Sequence, residues 1–477
     1  MLKVLFAASE GVPFAQTGGL ADVIGSLPKE LLKLGVDVRI IMPKYGIIPS
    51  VYKDQFQKLA TFTVPLAWRK QYGGLEKYEY AGLTFYFIDN EYYFKRGGLY
   101  GYGDEGERYA YFSRAVLEAL PHLDFKPDIL HCHDWQTALI CFFLKTLYHN
   151  IPFYQNLKTL FTIHNLKYQG VCPKVVLTDI LGVGWEYFTK DSLEFYDQVN
   201  FLKGGLGYAD LITTVSKTYA EEIKTAYYGE QLDGLLRQKS DKLTGIINGI
   251  DYTNFDPAMD ENLSVPYSWQ NCTLKQQNKK FLQEKLNLPV RDVPLIAIIA
   301  RLVSQKGLDL IACVLNEILA QDVQLVILGT GEYKYEELFR WAAQHYPSKV
   351  SAQITFNNSL ARQIYAGSDL FLMPSLFEPC GLGQMIALRY GSLPIVRETG
   401  GLKDTVRPFN EFTGEGNGFS FTNYNAHDML YTIERALSFY YNKDLWCQLV
   451  QNAMQTDCSW QRPAQEYLKL YNLATLA

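Results

Sequence analysis

Residues 3–43 read KVLFAASEGVPFAQTGGLADVIGSLPKELLKLGVDVRIIMP. The run 3–8 is apolar and of strand length, and 36–42 (VDVRIIM) is a second such run, stopped by Pro43. Between them, residues 20–34 carry Val23, Leu27 and Leu31 at helical spacing, with Gly35 as a C-terminal stop. Pro28 inside that helix deletes one hydrogen bond and predicts a kink. A strand, a helix and a strand of these lengths build a right-handed βαβ unit, and with it a parallel sheet. Further strands are expected at 83–88, 129–131, 159–163 and 211–215.

The second half repeats this grammar. Residues 295–300 (LIAIIA), 323–328, 352–356, 369–373 and 393–396 read as strands, with helices expected at 308–320 and 333–344. Their near-continuous apolar character implies burial on both faces, as in a doubly wound sheet. Between the halves, 251–293 is polar and carries Pro257, Pro266 and Pro289, which places a boundary there. The expected fold class is α/β: two facing Rossmann-like domains, 1–255 and 256–455, with an interdomain cleft and a terminal segment 456–477. Ligands of such sheets bind at the carboxyl ends of the strands.

Composition narrows the function. Apolar residues make up 48 % of 477, enough for packed cores, so a disordered chain is excluded. Lysine plus arginine number 45 against 50 acids, a net charge of −5 with no basic stripe, so no nucleic-acid partner is expected. No apolar run reaches the roughly 18 residues of a membrane span. The start, Met1-Leu2-Lys3, lacks the sections of a signal peptide, and the eight cysteines are scattered; a cytoplasmic protein with reduced thiols is expected. His131 and His133 beside Cys132 lack a second ligand pair at finger spacing, so no metal site is expected. The aromatic content is unusual at 14 %, with 34 tyrosines, ten of them in 72–111. Those rings are core filling or a surface for a ligand that stacks.

Four segments carry chemistry. In Gln16-Thr17-Gly18-Gly19-Leu20-Ala21-Asp22, paired glycines before a helix let backbone amides approach an anion; a tight turn that needs glycine is an equal reading. The G-x-G-x-x-G spacing is absent, which argues against a nicotinamide cofactor. Arg301 leaves the end of a buried strand and Lys306 precedes the next helix. Two cations there suit a diphosphate leaving group, Arg301 by forked contacts and Lys306 as a point charge; ordinary surface charge is the alternative. In Ser375–Gln384 (SLFEPCGLGQ), Glu378 suits sugar hydroxyls and the amides around Gly381 and Leu382 suit a phosphate, unless Glu378 is only a helix N-terminal acid. Asp134 and His164 each follow an expected strand, a pattern unspecific by itself.

Together these segments are specific. The chain resembles the bacterial glycogen synthase and plant starch synthase family of nucleotide-sugar glycosyltransferases over nearly its whole length. The resemblance rests on Ser9-Glu10, TGGLADV (17–23), HDWQT (133–137), FTIHNLKYQG (161–170), FLKGGLGYAD (201–210), GIINGID (245–251), ARLVSQKGLDL (300–310), FEPCGLGQ (377–384), TGGLKDTV (399–406) and Asp457-Cys458-Ser459-Trp460. It implies a GT-B fold, a final helix over about 460–476 returning to the first domain, and no metal or cofactor. It also implies retaining transfer of glucose from ADP-glucose to the nonreducing end of an α-1,4-glucan such as glycogen.

By motif, Arg301 and Lys306 match residues that stabilise the diphosphate, Glu378 the one that holds the glucose hydroxyls, and His164 and Asn165 residues beside the transferred sugar. Asp134 and Asn248 match other cleft residues. Asp22, Gly18, Gly19, Gly381, Leu382, Thr399, Gly400 and Gly401 fall in substrate-binding motifs. Eight residues after Glu378, where some related transferases have a second glutamate, stands Ile386. That departure favours same-face attack without a covalent glycosyl-enzyme. Gln16 stands where the family pattern has lysine, and Gly383 where many relatives carry threonine or serine. A hydrogen bond to a charged group is worth roughly 1.5–3 kcal/mol, so Gln16 implies a donor site weaker by about one to two orders of magnitude unless another cation compensates. The alternatives are a synthase using UDP-glucose and a catalytically weak glucan-binding or priming protein.

Overall fold

The apolar runs become buried strands in a computed structural model that describes residues 1–476. They fall into two compact units, Met1–Asn248 together with the terminal segment from Trp460, and Gly249–Ser459.

In unit 1, β1 (Lys3–Ala7), β2 (Asp37–Pro43), β5 (Leu83–Asp89), β6 (Ile129–His133), β7 (Lys158–Ile163), β11 (Leu211–Thr214) and β12 (Leu243–Gly245) pair in parallel. The sheet order is β12-β11-β7-β6-β1-β2-β5, continued at the β5 edge by β4 (Arg69–Tyr80) and then β3 (Gln57–Leu66). Helix Gly19–Lys33 runs continuously through Pro28 and buries Val23, Leu27 and Leu31 as their spacing requires.

Its far edge departs from the sequence expectation. β3 (Gln57–Leu66) and β4 (Arg69–Tyr80) form an antiparallel hairpin in a segment with no assigned strands. The two-residue turn is Ala67-Trp68, with Ala67 at φ 52°, so the usual Asn-Gly or Gly signal for such a turn is missing. A small second sheet, β8 (Val171–Pro173), β9 (Glu194–Phe195) and β10 (Gln198–Asn200), has the order β8-β10-β9. In the tyrosine-rich stretch, Tyr86, Tyr93, Tyr109 and Tyr111 are wholly buried, while Tyr72 and Tyr92 are exposed. Most of the aromatic excess there is core.

The terminal helix Gln461–Leu476 belongs to this same core. Tyr467 and Tyr471 are buried, and the Tyr471 hydroxyl lies 2.8 Å from His131 Nδ1. Tyr471→Phe is expected to cost about 1 kcal/mol, read by urea unfolding, because it removes one buried hydrogen bond and keeps the ring.

Unit 2 is a six-stranded, wholly parallel sheet with the order β15-β14-β13-β16-β17-β18. Its strands are β13 (Leu295–Ile299), β14 (Gln324–Leu328), β15 (Val350–Gln353), β16 (Leu370–Met373), β17 (Leu393–Arg397) and β18 (Phe419–Phe421). Two expectations shift. The strand expected at 352–356 is Val350–Gln353, because Val350 pairs with Leu325 and Phe356 falls past the strand end, 83 % exposed. The helix expected at 308–320 is two, Leu308–Cys313 and Leu315–Ala320, broken where Val314 adopts φ −120°. In the polar 251–293 stretch, helix Lys275–Lys285 packs into this unit. The buried Lys275 caps carbonyls of Tyr365 and Ala366, and Lys279 pairs with Asp369 at 2.5 Å. No helix among the described residues is long and apolar enough to cross a membrane.

Candidate functional site

Chemistry-bearing side chains gather at the carboxyl ends of the strands in each unit, where a parallel sheet leaves loops free for ligands. In unit 2, β13 ends at Ile299 and hands on to Arg301, while its neighbour β16 ends at Met373 and hands on to Ser375–Glu378. Gly307, at φ +71°, makes the turn that brings these loops together; a Cβ there would lie 2.0 Å from the Pro374 carbonyl oxygen. Gln305 fastens the contact: its carbonyl accepts from the Leu376 amide at 2.9 Å, and its side-chain amide donates to the Phe377 carbonyl at 3.3 Å.

The result is a close ion pair, Lys306 Nζ to Glu378 Oε2 at 2.5 Å, with the Ser375 hydroxyl donating to the same oxygen at 3.2 Å. Arg301 is exposed and has no side-chain ion pair or hydrogen bond among the described residues, so its guanidinium is available to an anion. Helix Gly383–Arg389 starts five residues after Glu378 and has no acid in its first turn, so Glu378 is no helix-end acid. Its backbone rests on the next motif. Gly401 donates to the Glu378 carbonyl at 3.1 Å, and Cβ atoms on Gly400 or Gly401 would lie 2.0 Å from the carbonyl oxygens of Glu378 and Cys380. Thr399, wholly buried, is the N-cap of helix Gly400–Thr405. Gly381 takes φ +75°, and Leu382 is the N-cap of helix Gly383–Arg389. Sequence reasoning missed Ser375 and Arg397; the latter donates to the Leu376 carbonyl at 2.6 Å and so steadies the Glu378 loop.

Unit 1 holds two groups. In the glycine loop, the amides of Thr17 and Gly18 donate to Glu10 Oε2, at 2.5 and 3.1 Å, and the Thr17 hydroxyl to Oε1 at 2.7 Å. Two amides expected to face an anion are thus already turned to a carboxylate of the chain itself, and Gly19 starts the helix beyond. Tyr100 donates to Glu10 as well, at 2.7 Å. In the sequence Glu10 stands only as part of the Ser9-Glu10 motif, and its position just past the end of β1 is the signal for a role at this loop. Gln16 Nε2 donates to both oxygens of Asp22, at 3.2 and 3.3 Å. Burial, then the Glu10 charge, push the Asp22 carboxyl up to about 6, and the Gln16 bond opposes them only partly.

The second group follows β6 and β7. Asp134 sits at φ +57°, a conformation strained for a side chain other than glycine, and its Oδ1 accepts from the His164 amide at 2.7 Å and the Asn165 amide at 3.3 Å. Desolvation outweighs these bonds and raises the Asp134 carboxyl to about 7, with Glu10 adding to the rise. Burial lowers His164 to about 3, so its imidazole is neutral near pH 7. Asn248, after β12, is buried, and its Oδ1 has no partner among the described residues.

Asp22 and Asp134 are both raised, so the folded state keeps protons that the unfolded chain releases. Their stabilisation is full below the ordinary carboxylate range and is lost as pH climbs through about 6 and 7. Asp134→Asn keeps an acceptor oxygen and does not titrate, so its melting temperature is expected to fall less than that of the parent between about pH 5 and 8.

At Trp135, the residue after Asp134, unit 1 opens a cavity of about 630 Å³ lined also by Tyr102, Tyr168, Gln169, Glu230 and Gln231, among others. Gly170 lies on the Trp135 ring, 2.3 Å from it if it had a Cβ. Aromatic rings with interspersed amides and a carboxylate suit a sugar chain, which has apolar faces and hydroxyl edges.

Two largely parallel α/β units with this loop chemistry fit a glycosyltransferase. Residues 3–238 match the family described as starch synthase catalytic domain, and 278–453 match glycosyl transferases group 1. The chain is 60 % identical over 471 residues to a glycogen synthase of Desulforamulus reducens, covering 98 % of each. It is 59 % identical over 473 residues to one of Clostridium acetobutylicum, covering 98 % of this chain and 99 % of the relative. Its structure resembles the catalytic domain of Arabidopsis thaliana Starch Synthase IV bound to ADP and acarbose, with TM-score 0.92, 35 % identity and full coverage of both chains. The chain belongs to the glycogen synthase and starch synthase family of GT-B glycosyltransferases.

Proposed function

We propose that this protein transfers glucose from ADP-glucose to the nonreducing end of an α-1,4-glucan with retention at the anomeric carbon. The observation that carries the reading is the Lys306–Glu378 pair beside an available Arg301, at the ends of neighbouring strands. Departure of a nucleoside diphosphate builds negative charge on phosphate oxygens, and fixed cations lower the barrier most where charge appears. Arg301 and Lys306 meet the diphosphate, with the amides of Gly381 and Leu382 and the loop of Thr399, Gly400 and Gly401 completing the donor site. Glu378, oriented by Lys306 and Ser375, accepts from the glucose hydroxyls. Asp134, His164, Asn165 and Asn248 attend the transferred sugar, and Gln16, Gly18, Gly19 and Asp22 form the glycine-loop contribution.

Retention follows from attack on the face the diphosphate leaves. The acceptor oxygen bonds to the anomeric carbon as the sugar–phosphate bond breaks, and the acceptor proton passes to the departing phosphate oxygen. A retaining enzyme with a covalent intermediate places two carboxylates about 5 Å apart, and the Glu378 segment offers Ile386 where a second one would stand. The nucleotide sugar brings its own leaving group, so the step as proposed needs no resident cofactor. The parallel with the catalytic domain of Starch Synthase IV, bound to ADP and acarbose, supports an adenine nucleotide and a sugar-chain acceptor.

The test is direct. Purified protein is incubated with ADP-glucose or UDP-glucose, with and without glycogen or maltooligosaccharide, and nucleotide release and chain growth are followed. Turnover of ADP-glucose that depends on glucan is expected. Preference for UDP-glucose would overturn the donor assignment, and glucan binding without turnover would overturn the enzymatic reading.

Two smaller effects follow. Gln16→Lys places a cation against Asp22, so the Asp22 carboxyl is expected to fall below about 6 and ADP-glucose to bind about tenfold more tightly, measured by calorimetry. Unchanged affinity would show that the loop has no need of the charge. Tyr168, 51 % exposed on the cavity rim, gives a mild probe of the acceptor side. Tyr168→Ala is expected to raise the glucan KM about fivefold, the loss of about 1 kcal/mol of ring contact, with the ADP-glucose KM unchanged.

A further inference from the structure

We infer that His133 is a positioning residue, whose Nδ1–H donates to Nε2 of His164 and so holds His164 in the tautomer that presents an N–H at Nδ1. The two rings meet at 2.9 Å, His133 Nδ1 to His164 Nε2, across the paired ends of β6 and β7. A single proton occupies that contact, and the surroundings of His133 decide whose it is.

His133 is wholly buried. Its ring stacks on Phe6 with centroids 5.2 Å apart and lies 4.1 Å from the His131 ring. Its other nitrogen, Nε2, is buried with no partner among the described residues. Burial in this packet pushes both imidazoles down, so each is neutral and carries one proton. Were the His133 proton on Nε2, a buried N–H donor would be orphaned, the rarest kind of unsatisfied polar group. With the proton on Nδ1, only a bare ring nitrogen faces apolar neighbours, and the contact with His164 is a proper hydrogen bond. His164 Nε2 is then the acceptor, and its own proton must sit on Nδ1.

The His164 backbone is pinned as well, by its amide bond to Asp134 Oδ1 at 2.7 Å. Ring and backbone are thus both fixed before any ligand arrives, as preorganised catalysis requires. Resting on the reading of His164 as a neighbour of the transferred sugar, the consequence is definite: His164 serves as a neutral hydrogen-bond donor and takes up no proton during the reaction. His131 is excluded from this relay, since its nitrogens are engaged by Tyr471 and Thr162, at 2.8 and 2.7 Å.

The test reads the tautomer in the intact protein. The full chain is labelled with [15N]histidine, and His164 is assigned by the signals lost in His164→Gln. A protonated Nδ1 and a bare Nε2 on His164, unchanged between pH 6 and 8, are expected; a protonated Nε2 or a cationic ring would overturn the inference. Turnover supplies the second readout. His133→Asn keeps an N–H donor near the Nδ1 position and is expected to retain kcat within about threefold. His133→Leu is expected to lower kcat at least tenfold with the ADP-glucose KM changed less than threefold. Equal losses in the two variants, or none in either, would reject the positioning role. Absence of turnover in the parent protein would sink the functional reading instead, while the tautomer measurement would still decide this one.

Discussion

Lys306→Ala is expected to lower kcat/KM for ADP-glucose by about a thousandfold. On the proposed reading the lysine acts twice: it meets the diphosphate, and it pairs with Glu378 at 2.5 Å in a site where both side chains are largely covered. Removing one fixed donor from a site of developing negative charge costs roughly a hundred- to a thousandfold. The variant also leaves Glu378, itself 7 % exposed, without its cation, so the carboxylate loses the group that orients it for the proposed contact with sugar hydroxyls. The loss should appear mainly in kcat, because the charge being stabilised grows toward the transition state. Lys306→Arg should recover only part of the rate, since a planar fork replaces a compact charge. A change below tenfold in Lys306→Ala, with turnover followed by ADP release, would remove this residue from the chemistry.

Gly400→Ala is expected to cost about 4 kcal/mol of stability and most of the activity. A Cβ at this position would lie 2.0 Å from the Glu378 carbonyl oxygen, closer than any real contact, and the residue holds φ +45°. Left-handed strain contributes about 1–3 kcal/mol and forced displacement of packed backbone about 1–3 more. Neither can relax cheaply, since the obstructing atom belongs to the backbone that sets the height of Glu378, and Gly401 is bonded to the same carbonyl at 3.1 Å. Urea unfolding measures the first effect, and the rate of glucan extension at saturating donor measures the second. Stability within 1 kcal/mol of the parent would mean that the loop yields where the geometry says it is clamped.

The parallel core was legible from short apolar runs bounded by glycine and proline, because buried strands have no polar face to dilute the pattern. Arg301, Lys306 and Glu378 were legible for a related reason: a cation or acid just past such a run must stand in a strand-end loop. The β3–β4 hairpin was not, because Ala67-Trp68 gives no turn signal and its tyrosines serve the core as readily as a surface. The break at Val314 was also hidden, since a change of φ at one apolar residue leaves the helical spacing on either side intact.

By itself, then, the sequence determined the α/β class, the order of the loops and the kinds of charge they carry, since these depend on residue type and short-range period. Tertiary structure alone decided what those charges touch. Glu10 fills the amides of the glycine loop, Gln16 turns to Asp22 where a lysine would bring charge, and His133 meets His164 from a residue 31 positions away. Hydrogen-bond partners and raised or lowered carboxyl and imidazole affinities arise from desolvation and contact between strands distant in sequence, and no local pattern of residues encodes them.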